Sequence, residues 1–187
     1  MSQTRDHPEQ LEKINSEDAV QGERSHQRPK SFRGIAIECT LLKLLTKLVM
    51  HRLIEAVEKH IPDEQFGFRK NRSTTQAIQC LQRDIEDALS SPGGKLYTVF
   101  LDYTKVFDTL NMEIIIGKLE QKIGKGNYLA RLIRNILSSN CVEICDNISK
   151  SNPIQQTVGV LQGDPLSPLL FIVATADIVR TTHENIR

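Results

Sequence analysis

The stretch Phe100-Leu101-Asp102-Tyr103-Thr104-Lys105-Val106-Phe107-Asp108 closes an apolar run, Leu96–Leu101, that is short and preceded by the breaker Pro92-Gly93-Gly94. A run so rich in strand formers and bounded by turn signals suits a buried strand. Here it ends on a carboxylate. A carboxylate at the end of a buried strand is costly unless it meets a cation, so a metal ion is a natural partner for Asp102. Taken alone, the plainer alternative is a cap or turn residue, the commoner use of a strand-ending aspartate. Asp108, just ahead of Asn111 and its helix, reads as a structural cap that steadies the turn.

A second stretch, Gly159-Val160-Leu161-Gln162-Gly163-Asp164-Pro165-Leu166-Ser167-Pro168, places an amide side chain beside a glycine in a tight turn. Gly163 has an ordinary role as a turn residue. Ser167 and Pro168 supply an N-cap and a proline at the first helical position, opening a helix through Leu169–Ile178. That helix is apolar nearly all round and should lie inside the fold. Facing each other, a strand-end carboxylate and such a turn could hold a metal-bound triphosphate.

Working outward, Thr40 can cap a helix whose apolar positions Leu41, Leu44, Leu45, Leu48, Val49, Ile54 and Val57 follow the spacing of one buried face. Pro62 ends it. After a loop over Asp63–Arg72, Ser73 and Gln76 form a capping box for a helix through Ala77, Ile78, Leu81, Ile85 and Leu89. Helices follow at about Asn111–Ile123, stopped by Gly124 and Gly126, and at Tyr128–Leu137. Val142 and Ile144 alternate at strand period, and Ile154–Val160 can pair with them across a loop at Asn147–Pro153. The expected class is α+β, with helices packed on a small antiparallel sheet. Residues 1–31 carry mixed charge and few large apolar side chains, the composition of a disordered lead, in which a short helix around Glu9–Ile14 is one option.

Composition bounds the partners. The 187 residues are 39% hydrophobic and 25% charged, enough for one core, and the formal net charge of +1 gives no argument for or against nucleic acid. Cys39, Cys80, Cys141 and Cys145 form neither a secreted disulfide framework nor two zinc-spaced pairs, which favours buried or idle thiols in a reducing compartment. No run reaches roughly 18 apolar residues and the N-terminus is charged, so the reading is an intracellular chain, in nucleus or cytoplasm, not secreted and with no membrane partner.

The Phe100–Asp108 stretch resembles the first palm motif of reverse transcriptases of the non-LTR, LINE-like retrotransposon kind. In that family the leading aspartate binds both catalytic magnesium ions. The resemblance assigns this role to Asp102, a second metal ligand to the backbone carbonyl of Tyr103, and exclusion of a ribose 2′-hydroxyl to Phe107. Val106 departs from the usual alanine, and its branches could crowd the nucleotide. The Gly159–Pro168 stretch is similar to the family's glycine-glutamine-glycine turn, so Gln162 would contact the incoming nucleotide and primer end, and Gly163 would let the backbone come close. Ser31-Phe-Arg-Gly-Ile-Ala-Ile-Glu-Cys-Thr-Leu-Leu-Lys43 looks like the opening fingers motif, with Arg33 facing the triphosphate and Gly34 where proline is usual. Asp63–Thr75 resembles the fingers–palm segment, where Arg69 and Arg72 could touch phosphates; for Lys70 a solvated basic loop is the simpler account.

The resemblance implies a partial right-hand polymerase: fingers at about 32–95 and an incomplete palm at about 96–187. It also implies an RNA template, a DNA primer, deoxynucleoside triphosphates, and magnesium (or manganese) in a two-metal nucleotidyl transfer. The family's aromatic-x-Asp-Asp motif and its thumb are not found in these residues. Ala174-Thr-Ala-Asp177 is a poor substitute, because it lies inside an apolar helix. The chain by itself is therefore expected to bind metal weakly and to be inactive. The alternative is a non-catalytic, retrotransposon-derived module that binds RNA or a protein partner.

Overall fold

The computed structural model describes residues 12–15, 34–145 and 149–185, with side chains described over 34–145 and 149–178. Two short strands, β1 (Glu12–Asn15) and β2 (Ile35–Ile37), precede helix α1 (Thr40–Val57) and a 3-10 turn at Glu58–His60. Then come α2 (Thr74–Leu89), the single turn α3 (Val106–Thr109), α4 (Met112–Ile123), α5 (Tyr128–Ser139), β3 (Cys141–Cys145), β4 (Ile154–Gln155) and α6 (Ser167–Asn185). The class is α+β with a small sheet.

The helix termini follow their local chemistry. Ser73 and Gln76 make the reciprocal capping box of α2, the Ser73 amide donating to Gln76 Oε1 at 2.8 Å and the Gln76 amide to Ser73 Oγ at 3.3 Å. Asn111 Oδ1 accepts from the amides of Glu113 and Ile114 at the start of α4, which ends at Gly124 with φ 96°. Asn111 is thus the cap at this corner, and Asp108 is not. At α1 the cap is Cys39, whose Sγ accepts from the Leu42 amide at 3.4 Å, and Thr40 is already helical.

The core is helical. α4 packs on both α5 and α6, and all three pack on α1, burying Leu53, Ile115, Ile116, Leu119, Ile133, Leu170, Ile172 and Val173. As its sequence implies, α6 is buried on most sides. α1 joins this core through Thr46, Val49, Leu53 and Val57. The leucine row Leu41, Leu44, Leu45 and Leu48, expected to face inward, is exposed. Both rows have helical spacing, so periodicity alone does not choose between them; the packing of α4 and α6 does.

Three further expectations are corrected. Glu12–Asn15 form a strand where a helix around Glu9–Ile14 was an option, and the rest of 1–31 lies outside the described residues. The sheet, in order β2-β1-β3-β4, is mixed and not antiparallel throughout. β1 runs antiparallel to β2 (Lys13 opposite Ile37) but parallel to β3 (Glu12 opposite Val142), and β3 meets β4 antiparallel (Cys141 opposite Gln155). A parallel pair needs a long crossover, which the chain between β1 and β3 provides. Finally, Leu96–Leu101 is irregular and exposed, Phe100 by 81%. A strand exists only where a neighbour takes its backbone hydrogen bonds, and among the described residues none does.

The facing of α1 sets a test. Leu53→Ala removes a fully buried side chain and should cost about 2–5 kcal/mol. Leu48→Ala, on the exposed row, should stay within about 0.5 kcal/mol. Urea midpoints at unchanged slope would measure both.

Candidate nucleotide-transfer site

Asp102 stands exposed at the end of the extended run, followed by Tyr103. Lys105 then takes a left-handed conformation (φ 50°), turning the chain into α3. Such a backbone is uncommon for a residue with a Cβ and is held here by its surroundings. Two backbone hydrogen bonds hold it. The Val160 amide donates to Phe107 O at 2.8 Å, and the Gly159 amide donates to Leu110 O at 2.8 Å. The approach requires glycine: at φ 85°, an added Cβ on Gly159 would lie 2.7 Å from Phe107 O and 2.8 Å from Asp108 O.

The same contact is reinforced by aromatic rings. Phe171, one turn into α6, receives Tyr103 edge-on at 6.3 Å between centroids and Phe107 at 5.8 Å with a 45° tilt. Both spacings fall in the favourable range for aromatic pairs. The two sequence stretches that could carry chemistry therefore meet, through Phe107 with Val160 and through Tyr103 and Phe107 with the helix that follows Gln162-Gly163. Phe171 is a positioning residue that sequence reasoning missed, because inside an apolar helix it reads as core.

The Gln162–Gly163 turn is also fastened from its other side. The Ala36 amide of β2 donates to Gln162 O at 2.8 Å, and a Cβ on Gly163 (φ 121°) would come within 2.7 Å of Ala36 O. A cleft of about 310 Å³ opens here, lined in part by Gly34, Ala36, Asp108, Leu161 and Gln162. Arg33 lies outside the described residues, though Gly34 beside it reaches this cleft.

The basic loop between α1 and α2 is arranged differently. Arg69 is nine-tenths buried: its Nη1 donates to Pro62 O at 2.8 Å and its Nη2 to Glu58 Oε1 at 2.6 Å. It braces the loop against the end of α1. Arg72 pairs with the exposed Asp63 at 2.9 Å and stacks over Phe66 at 5.6 Å. The exposed side chains of this loop include Lys70 and Phe68, the latter at φ 58° and 65% exposed. Asp177 is ion-paired to Lys118 at 2.9 Å across α4 and α6, a structural tie far from any role as a metal ligand at Asp102.

Comparison with known proteins identifies the family. A family model described as "Reverse transcriptase (RNA-dependent DNA polymerase)" matches residues 20–186, so the chain belongs to the reverse transcriptase family. The curated relatives it matches include RNA-directed DNA polymerases of mobile elements. It is 31% identical over 81% of its length to "Probable RNA-directed DNA polymerase from transposon BS" of Drosophila melanogaster, covering 17% of that protein. It is 29% identical to "RNA-directed DNA polymerase from mobile element jockey" of the same species, over 79% of this chain and 16% of the relative. A type-1 R2 retrotransposable-element Pol polyprotein of Nasonia vitripennis is 29% identical over 84% of this chain and 15% of that protein.

Two outcomes test these placements. Arg69→Ala should lower stability by about 1–3 kcal/mol in the absence of any nucleic acid, while Arg72→Ala, losing a surface pair, should cost less than about 1 kcal/mol. Gly159→Ala should cost about 2–4 kcal/mol, because left-handed strain adds to a backbone clash. Denaturant melts of the three variants would check both.

Proposed function

We propose that the chain is the fingers and front part of the palm of a non-LTR reverse transcriptase, built for RNA-templated DNA synthesis from deoxynucleoside triphosphates. The supporting observation is the pair of hydrogen bonds from Gly159 and Val160 to the turn after Asp102. They hold the turn that follows Asp102 beside the segment leading into Gln162–Gly163, as nucleotide transfer would need. The division into a lead at 1–31, fingers to about 95 and palm beyond is part of the same proposal.

The donor set suits magnesium or manganese. Asp102 and the Tyr103 carbonyl are hard oxygen donors, and magnesium typically takes one or two carboxylates with the rest from water and phosphate. Among the described residues no three or more His, Cys, Asp or Glu side chains converge, so no protein-only cage is built there. When bound, the ions would neutralise charge on the attacking and leaving oxygens. The chain's own residues position the nucleotide around them. Asp102, already in water, gives up little further solvation on meeting a cation. Phe107, steadied by Phe171, would lie under the sugar, and Gln162 would reach the nucleotide from a turn tied to β2.

Contacts to the RNA template and DNA primer would come from Arg72, whose exposed ion pair can exchange Asp63 for a phosphate, with Lys70 and Phe68 beside it. Arg69 supports that loop. In the scheme we propose, one carboxylate leaves the two-ion site short of ligands, so the chain by itself binds metal weakly and does not extend a primer. No described helix is long and apolar enough to cross a membrane. We assign the chain to the nucleus or cytoplasm, where template and nucleotides are found.

The test has two arms. Magnesium-dependent primer extension by the 187-residue chain is expected to be absent; robust extension that Asp102→Ala abolishes would refute the inactivity. Single-stranded RNA binding, followed by anisotropy over a salt series, should show a logarithmic slope that shrinks by about 1 unit in Arg72→Ala or Lys70→Ala. RNA binding unchanged in both variants would remove the basic loop from the interface.

A further inference from the structure

The loop between α1 and α2 keeps one of its two phenylalanines and offers the other to solvent. Phe66 lies under the Arg72 guanidinium, whose carbon is 5.6 Å from the ring centroid. Phe68 is 65% exposed and sits at φ 58°, in the left-handed region. Asparagine tolerates that region, as Asn71 does here at φ 61°, but a bulky residue adopts it only at a cost in free energy. A strained backbone that holds an apolar ring in water is the kind of outlier from which a function is inferred. The root of the loop is firm. Arg69 ties it to Pro62 O and Glu58, and Ser73 with Gln76 caps α2 directly behind it. The electrostatic setting of the ring is one-sided. Between Glu64 and Asp84 the chain carries Arg69, Lys70, Arg72 and Arg83 and no acidic residue, although the whole chain is close to neutral at +1. Arg69 is committed to Glu58, which leaves Lys70 and the exchangeable Arg72, two and four residues from Phe68, for an outside anion.

We propose that Phe68 is a stacking platform for an unpaired base of single-stranded RNA, with Lys70 and Arg72 taking the adjoining phosphates. The inference rests on the reading of this loop as an RNA contact, and it extends that contact from charge to the bases themselves. Every base has an apolar face, so a ring held in water gains by covering one whatever the sequence. A base inside a duplex already has its faces covered by neighbours, so the ligand is the unpaired strand. An apolar protein partner would also cover an exposed ring. The run of cations without an acid favours the polyanion over it.

The probe is a fluorescein-labelled oligoadenylate, set against an abasic oligomer of the same length, which keeps the phosphates and lacks the bases. The wild-type chain should bind oligoadenylate about fivefold or more tighter than the abasic oligomer. Phe68→Ala should close that gap and leave the salt slope as it was, since no phosphate contact is lost. Arg72→Ala should lower the slope and keep the gap. Phe68→Trp should preserve the gap and adds a direct readout. The chain has no tryptophan, so this variant carries a single indole, whose emission should be quenched by oligoadenylate and not by the abasic oligomer. A gap that survives Phe68→Ala, or indole emission indifferent to saturating oligoadenylate, would overturn the platform and leave the ring to a protein partner. Equal binding of the two oligomers by the wild type would overturn it as well. Absence of any binding would remove the basic loop from the interface together with the platform, whereas binding that ignores position 68 removes the platform alone.

Discussion

Two backbone hydrogen bonds, from Gly159 and Val160 to the carbonyls of Leu110 and Phe107, decide where everything near the candidate site stands. Each is of a kind that contributes only about 0.5–1.5 kcal/mol net, but they close a contact that side chains then make specific. Glycine at 159 admits the approach, since any Cβ would strike three backbone atoms within 3 Å. Once the strands of chain meet, Phe171 is within reach of both Tyr103 and Phe107, and the buried helix α6 becomes a fixed platform for an otherwise exposed segment. The turn at Gln162 is then caught between this contact and β2. The geometry is therefore set from the helical core outward, and the sheet adds one edge of support.

Local rules read the helices well and the faces poorly. The capping box at Ser73, the Asn111 cap, the glycine stop at 124 and the apolar girth of α6 all depend on residues within a turn of one another, and each appears as the residues imply. Facing depends on partners distant in the chain. α1 offers two apolar rows, and only the packing of α4 and α6 selects Val49, Leu53 and Val57 over the leucines. β1 was illegible for the same reason: a four-residue strand in a charged stretch is given its identity by pairing with β2 and β3, more than a hundred residues from the latter. At the site, the motif residues could be found, but their supports could not. Phe171 looks like core, and Asp164, followed by proline, looks like a turn residue. A signal for Asp164 did exist, since an aspartate two residues before the amide of a helix entry commonly accepts from it.

The three apolar surfaces left uncovered are of one kind. The leucine row of α1, the Ile78–Leu89 side of α2 and the run Leu96–Leu101 all carry the pattern of a packed element, and among the described residues nothing covers them. Burying a single large aliphatic or phenylalanine side chain is worth about 1.5–3 kcal/mol, so the unclaimed driving force is comparable to a domain's whole stability. The capping box satisfies the N-terminal end of α2 locally, and its apolar face stays available. The chain spans about a sixth of the length of the curated relatives it matches, 17% of the transposon BS protein among them, so ample sequence of the family lies outside this segment.

Two aspartates show how solvation divides labour around one turn. Asp102 is exposed, with its lone pairs in water. Asp164 is buried and accepts from the Leu166 amide at the entry of α6. Exchanging their surroundings would be costly for both: a buried Asp102 would be desolvated without a partner, and an exposed Asp164 would lose its hold on the α6 entry to water. The motif spelling Gln-Gly-Asp-Pro hides this difference, because the letter after the glycine looks like one more candidate ligand. Its burial says otherwise. The carboxylate that faces solvent keeps its lone pairs available, and the buried one is committed to the amide that opens α6.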